Sequence, residues 1–265
     1  MGEAGNGSTS LERVGLHQSH NLGVSDFFLG ATVGAGSFGH VCYARLKRPA
    51  DASTSCPSLN TYNEGYAIKI MDKQHILKEK KLQAVMLEKD ILLHYAIQHE
   101  NASCDSRSNF IIRLYGAFHD SQHLFLLLEL CWGTLSDIVP YTYLYYHSDN
   151  RNNRCPSSLA SACVFYYFGQ TVRALEYIHS NGIIHCDLKP DNILITQHGQ
   201  IRLSDFGAAV DMKKVSSTTA NGTSDTLPYQ QPMVGSMEYV SPEMIRGEFL
   251  LTPSADLWAL GCILW

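Results

Sequence analysis

Two short stretches of sequence decide the architecture of this chain: HCDLKPDN at residues 185–192 and DFG at residues 205–207. The first holds Asp187, Lys189 and Asn192, and the second holds Asp205. A positioned carboxylate can take a proton from a hydroxyl, and aspartate and asparagine supply hard oxygen ligands suited to Mg²⁺. We therefore expect residues 185–207 to form one catalytic centre.

Upstream of this centre, a glycine-rich stretch joins two strand-like segments. Residues 34–39 read GAGSFG, and residues 40–45 then alternate as a strand does. A dinucleotide fingerprint opens into a helix instead, so the pattern favours a flap whose backbone amides close over phosphates. The motif alone is weak, because a hairpin without a ligand has the same appearance.

A lysine lies at the centre of an apolar strand. Lys69 ends the triplet AIK, and Glu88 follows nineteen residues later within a segment of helical spacing. A buried ammonium group is costly unless an anion pairs with it. Lys69 is expected either to pair with Glu88 near phosphates or to form a purely structural ion pair.

Taken together, these motifs resemble those of protein kinases. Residues 185–192 are similar to the kinase catalytic loop, DFG begins eighteen residues after Asp187, and SPE at 241–243 and DLWALG at 256–261 follow in the family's order. Lysine two residues after the aspartate is the serine/threonine form. Residues 67–77 and 239–243 resemble the AGC group, and within it the phosphoinositide-dependent protein kinases. The resemblance covers about residues 26–265.

The resemblance implies roles for individual residues. Asp187 would orient and deprotonate a substrate hydroxyl, Lys189 would reach the transferred phosphate beside Ser236, and Asn192 and Asp205 would hold Mg²⁺. Lys69 and Glu88 would position the phosphates of ATP. The expected nucleotide-binding residues are Val33, Gly34, Ala35, Gly36, Ser37, Phe38, Gly39, Val41, Ala67, Lys69, Leu128, Glu129, Cys131, Asp191 and Leu194.

The resemblance also implies protein partners. The substrates would be the activation loops of other AGC kinases, which would dock a hydrophobic tail in a pocket of the small lobe. An ordinary amphipathic helix packed on strands has the same pattern. The expected pocket residues are Lys73, Ile76, Leu77, Leu82, Val85, Met86, Lys89 and Leu124.

The expected fold class is α+β, in the two-lobed arrangement of protein kinases. We expect a disordered leader (1–25), a β-rich small lobe (26–130) and a helical large lobe (131–265). One helix is predicted for about 74–97 and a long buried helix for 158–180, with Asn181 and Gly182 as its cap. Strands are predicted for 110–118 and 123–130 and around residues 184, 193 and 201, and a last helix near Asp256.

The sequence departs from the family pattern at four points. Cys186 replaces an arginine that grips phosphate on the activation loop, and Pro232 stands at the usual phosphoacceptor position. Loop phosphorylation there is therefore not expected to switch this chain, although Ser224 or Thr226 could pair with Lys213 or Lys214. The acid that binds ribose is replaced around Gly133 and Thr134. The apolar end of the sequence suggests a large lobe truncated within its central helix.

Composition excludes several classes of function. The net charge is −5 with a pI near 6.2, which does not favour nucleic acid as a partner. Eight scattered cysteines fit free thiols in a reducing, cytoplasmic setting. No apolar run is long enough for a membrane span, and no secretory signal is evident.

A non-catalytic docking module remains the main alternative to an enzyme, and a nucleotide-dependent oxidoreductase is a distant alternative.

Overall fold

The computed structural model describes residues 22–36, 39–47, 65–100, 109–138, 157–214, 236–247 and 252–264. The chain divides into two compact units. The first unit comprises Met1–Cys104 and Arg113–Leu130, and the second comprises Asp105–Ile112 and Cys131–Trp265.

The first unit is built on one antiparallel sheet of five strands in the order β1-β2-β3-β5-β4. One face carries an aromatic core in which Phe27 stacks on Phe118 and meets Tyr66 edge-on. Side chains alternate along β2 and β4 between buried and partly exposed, as strands with one buried face require. The strands are β1 Phe27–Gly36, β2 Gly39–Leu46, β3 Tyr66–Asp72, β4 Leu114–His119 and β5 His123–Glu129.

Two helices follow β3 where the sequence predicted one. Helix α1 spans Lys73–Lys78 and α2 spans Leu82–Glu100. The Asp72 carboxylate caps the N-terminus of α1 by accepting the His75 N–H at 2.7 Å. After α1, Lys80 has a left-handed φ of 54°, which interrupts the helix before α2 begins. The single helix predicted for 74–97 was therefore wrong near its N-terminal end, because periodic apolar residues do not reveal a left-handed turn.

Helices dominate the second unit. Helix α3 spans Ser157–Ser180, α4 spans Pro242–Ile245 and α5 spans Ser254–Leu264. Gly182 ends α3 with φ 81°, as the predicted cap requires. The expectation that α3 is buried holds for its C-terminal half only, since Phe165 is 72% exposed in the N-terminal half.

Short strands in the second unit support the loops that carry the site. Strand β6 (Gly133–Thr134) pairs with β8 (Ile193–Ile195), β8 pairs with β9 (Ile201–Leu203), and β7 (Ile183–Ile184) pairs with β10 (Val210–Asp211).

The strand predicted for 110–118 is shorter in the structure, because Ile111 belongs to the second unit and bridges Leu203. The mixture of a β-rich first unit and a helical second unit confirms the α+β prediction. Within the described residues, no helix has both the length and the apolar character needed to cross a membrane.

Candidate active site

In the first unit, the structure brings Lys69 and Glu88 together. Lys69 Nζ donates to Glu88 Oε1 at 2.6 Å and to Oε2 at 2.9 Å. Lys69 lies on β3 between Val41 of β2 and Leu126 of β5, and Glu88 lies on α2 with 2% of its surface exposed. The strand and the helix thus present one ammonium group to one carboxylate.

The glycine-rich stretch forms the end of the β1–β2 hairpin. Gly34 pairs with Val41 and Gly36 with Gly39. A Cβ at Gly39 would lie 1.8 Å from the Ile70 carbonyl oxygen, so glycine is required for β2 to approach β3. Ser37 and Phe38 lie outside the described residues.

The other expected nucleotide-binding residues are divided between the units. In the first unit, Val33 and Ala35 are exposed on β1, while Ala67 of β3 pairs with Leu128 of β5 and Glu129 ends that strand. In the second unit, Leu194 is partly buried on β8, and Cys131 is likewise partly buried.

The catalytic loop of the second unit is held from below by Asp256, which is 1% exposed. Its carboxylate accepts the N–H groups of His185 at 2.8 Å and Cys186 at 2.9 Å, and also meets His179 Nε2 at 2.7 Å. Cys186 has a left-handed φ of 64°. A buried carboxylate thus stabilises a backbone conformation that a residue with a side chain rarely adopts.

The hydrogen bonds of His185 define its tautomer. Its Nε2 lies 2.9 Å from the Ser204 carbonyl oxygen, which only accepts, and Asp187 N donates to its Nδ1 at 3.3 Å. The ring is therefore neutral with its proton on Nε2. Phe206 packs against it with ring centres 4.9 Å apart, and this contact lies beside Asp205, whose φ is 59°.

Three groups converge on the Asp187 carboxylate. Lys189 Nζ donates to Oδ2 at 3.0 Å, Asn192 Nδ2 donates to the same oxygen at 3.1 Å, and Ser236 N donates to Oδ1 at 3.0 Å. Lys189 Nζ also donates to Ser236 Oγ at 2.8 Å. The network fixes the orientation of an ionised carboxylate beside a fixed positive charge.

The residues expected to hold magnesium suit that ion chemically. The Asn192 amide nitrogen donates to both the carboxylate and the backbone oxygen of Asp187, the latter at 2.8 Å, so the amide oxygen is the atom that could coordinate a metal ion. Asp205 adds a carboxylate, and Mg²⁺ in such sites takes one or two protein oxygens plus phosphates and water. The described residues contain no group of three or more His, Cys, Asp or Glu side chains that could hold a metal ion.

Tyr239 is a neighbour of the site that the motif analysis did not single out. Its N–H donates to the Ser236 carbonyl at 2.9 Å. Burial raises the pKa of its hydroxyl, and the negative charges of Asp191 and Glu238 raise it further. His179 was missed as well, because a histidine near the end of a helix carries no sequence signal for a carboxylate 77 residues away.

Only some of the residues expected to form the docking pocket are exposed to solvent. Leu77 is 63% exposed, Leu82 46% and Met86 43%, whereas Ile76 and Val85 are buried in the core. Because α1 and α2 pack those two side chains inward, they are not part of the exposed surface, and their place in a docking pocket stays a prediction. The remaining expected members are partly buried: Lys73, which donates to the Asp120 carbonyl oxygen, Lys89 and Leu124.

Thr134 and Asp137 lie in the region where the sequence indicated that the family's ribose-binding acid is replaced. Asp137 Oδ2 accepts the Thr134 N–H at 2.7 Å and its hydroxyl at 2.9 Å. Thr134 Oγ1 in turn accepts the Asp137 N–H at 3.3 Å, so the two residues form a capping box for the turn that follows.

The fold and these two sites define the class of the chain. A protein kinase domain model matches residues 27–265, and the chain belongs to that family. The expectation of a kinase domain is confirmed.

Three curated relatives indicate that, among protein kinases, the chain is similar to serine/threonine kinases. The chain is 34% identical to human 3-phosphoinositide-dependent protein kinase 1 over 240 residues, which is 91% of the chain and 35% of the relative. It is 34% identical to the Arabidopsis thaliana protein of the same name, over 92% of the chain and 42% of the relative. For the serine/threonine-protein kinase PKH2 of Saccharomyces cerevisiae, the identity is 32% over 92% of the chain and 19% of the relative. The chain thus spans less than half the length of each.

Proposed function

We propose that the chain acts as an ATP-dependent serine/threonine protein kinase, which transfers the γ-phosphoryl group of ATP to a hydroxyl of a protein substrate. The observation that carries this proposal is the Asp187 carboxylate, fixed by Lys189, Asn192 and Ser236 at 3.0 to 3.1 Å. Phosphoryl transfer requires positioning and charge neutralisation more than covalent chemistry, and this network supplies both.

Each residue has a separate task in the proposed reaction. Asp187 orients the substrate hydroxyl and takes its proton as the oxygen attacks the γ-phosphorus and ADP leaves. Lys189 stabilises the charge on the transferred group, while Lys69 of the first unit neutralises phosphate charge. Asn192 and Asp205 would hold magnesium, which would supply positive charge to neutralise the phosphates.

The test is phosphate transfer from ATP–Mg²⁺ to a serine/threonine peptide, with wild type beside Asp187→Asn. We expect the variant to lose about 10²–10⁴-fold in rate, because general-base help and hydroxyl orientation disappear while ATP–Mg²⁺ binding persists. Equal rates would overturn the enzyme proposal and leave the non-catalytic docking module.

We further propose that the substrates are activation loops of related AGC kinases, held through a docking surface formed by Leu77, Leu82, Met86 and Lys89. Three exposed apolar side chains beside a lysine suit a tail that carries aromatic residues and a negative charge. The resemblance to phosphoinositide-dependent kinases supports this choice of partner.

The docking surface is tested with an acidic peptide that contains phenylalanine. Leu77→Glu is expected to weaken binding at least about tenfold, as the loss of an apolar contact residue does at an interface. Ile97→Glu is the matched control, since Ile97 is 49% exposed near the other end of α2. Equal affinities for the two variants would exclude the surface.

We also propose that activity does not depend on phosphorylation at the family's activation-loop position, where Pro232 has no hydroxyl to accept phosphate. Cys186 lies in an apolar cluster with Ile184 and Val210. Its side chain has no positive charge like that of the family's arginine with which to bind a phosphate. Phosphatase treatment should leave the rate unchanged, and loss of activity would contradict the proposal. None of the five cysteines in the described ranges forms a disulfide, which suits a reducing compartment such as the cytoplasm.

A further inference from the structure

Three sulfur-bearing side chains meet beside the catalytic loop. Cys186 is buried, and the partly buried Met212 and Met244 pack against the cluster that it forms with Ile184. We call Cys186, Met212 and Met244 the sulfur cluster. Each comes from a different segment: the catalytic loop, the residue after β10, and α4.

The sulfur cluster fastens the segment after Phe206 to the catalytic loop. Backbone pairing contributes, since β10 pairs with β7 and Met212 N donates to the Gly182 carbonyl at 2.8 Å. The side-chain contacts are apolar: the other members of the cluster are Ala208 and Val210. Cys186 directly precedes Asp187, so a disturbance of the cluster acts on the neighbour of the proposed base.

Small oxidants can reach this cluster from solvent. Met212 and Met244 are half-buried, in contrast to Met71, which is fully buried in the first unit. Met244 and Cys186 also line a small recess together with Asp187 and Tyr239.

We propose that Met212 and Met244 are oxidation sites through which peroxide lowers the activity of this kinase. A lone pair of the thioether sulfur attacks one peroxide oxygen, the O–O bond breaks, and one oxygen atom is transferred to sulfur. The sulfur is oxidised by two electrons to the sulfoxide, and the peroxide is reduced to water. The polar sulfoxide no longer suits an apolar cluster, so residues 208–212 separate from the catalytic loop.

The effect on activity rests on the proposed kinase function, but the structural effect does not. The experiment therefore treats the chain with hydrogen peroxide and measures three quantities: sulfoxide at each methionine by mass spectrometry, phosphate transfer, and tryptic cleavage after Lys213 and Lys214. Cleavage after Arg173, whose side chain is 61% exposed on α3, is the internal reference.

Oxidation of the two methionines is expected to lower transfer about tenfold, the order of effect of one unpaired polar group in an apolar site. Cleavage after Lys213 and Lys214 should accelerate relative to Arg173. The double variant Met212→Leu, Met244→Leu should keep the basal rate and resist peroxide. Met237→Leu is the control: Met237 is 72% exposed outside the cluster, and its replacement should give no protection.

Recovery identifies the sulfur responsible. Methionine sulfoxide reductases should restore slow cleavage and activity, whereas dithiothreitol alone, which reverses thiol oxidation, should not. The proposal is overturned if Met212 and Met244 stay unoxidised while Met237 reacts, if their oxidation leaves cleavage unchanged, or if the double variant responds as wild type does. One outcome separates the two proposals. If the double variant resists the peroxide-induced increase in tryptic cleavage but the untreated chain transfers no phosphate, the oxidation sites are supported and the kinase proposal is rejected.

Discussion

The two units hold their charged functional groups in different ways. In the first unit, Lys69 and Glu88 form an ion pair from a strand and a helix, whose packing fixes both backbones. In the second unit, Asp187 stands on a loop, and its carboxylate receives three donors while Asp256 holds the loop beneath it. Regular structure positions a group by packing, whereas a loop needs hydrogen bonds.

The largest effect is expected from Asp256→Ala. The change leaves the N–H groups of His185 and Cys186 and the ring of His179 without a buried acceptor. We expect a loss of roughly 3–5 kcal/mol in the free energy of unfolding, measured by urea denaturation, together with loss of phosphate transfer.

Asp137→Ala is the matched control for that change. Asp137 also accepts two hydrogen bonds in the second unit, but its side chain is exposed. The expected cost is about 1 kcal/mol, the value of a helix cap. Similar costs for the two variants would remove the distinction between a buried and an exposed acceptor.

The ion pair of the first unit offers the next test. Glu88→Gln is expected to cost about 2–3 kcal/mol, less than the roughly 3–5 kcal/mol of a fully buried pair, because the Lys69 side chain is 13% exposed. The double change Lys69→Met, Glu88→Leu should recover the unfolding free energy but not ATP binding or transfer. A double variant as unstable as Glu88→Gln would show that the pair itself holds the fold.

A smaller effect is expected at Ser236. Ser236→Ala removes the hydroxyl that accepts from Lys189 at 2.8 Å but keeps the N–H that donates to Asp187. Loss of one hydrogen bond to a charged group should lower the transfer rate about tenfold, with stability nearly unchanged. Ser236→Thr keeps the hydroxyl and should retain the rate, so a loss in both variants would point to shape rather than to the bond.

The smallest effect, of opposite sign, is expected at Lys80. This exposed residue has φ 54° between α1 and α2, a conformation that glycine adopts without strain. Lys80→Gly should raise the unfolding free energy by about 0.5–1 kcal/mol. Lys80→Ala keeps the strain and should give no gain. If both variants were more stable than wild type, backbone strain at residue 80 would not be the cause of the gain.

Sequence reasoning identified the proposed catalytic residues but missed many of the contacts that position them. The family resemblance placed Lys69 opposite Glu88, and the structure brings the two together at 2.6 Å. The same reasoning located Asp187, Lys189 and Asn192, since they lie within six residues of one another. Short motifs keep their chemistry readable because neighbours in sequence remain neighbours on a loop.

The errors share one cause. The break between α1 and α2 at Lys80 and the exposure of Phe165 depend on how elements turn and pack. Hydrophobic periodicity reports that an element has an apolar side, but it contains no record of what lies against that side. His179 was missed for the same reason, because its partner comes from a distant part of the chain.

The position of Asp256 has a consequence for how the protein is made. The acceptor of the His185 and Cys186 N–H groups lies 71 and 70 residues further along the chain. At about 5–20 residues per second, the ribosome delivers Asp256 roughly 4–14 s after the catalytic loop. Until then the N–H groups of His185 and Cys186 lack their buried acceptor, so the left-handed turn at Cys186 cannot acquire its native hydrogen bonds before Asp256 is made.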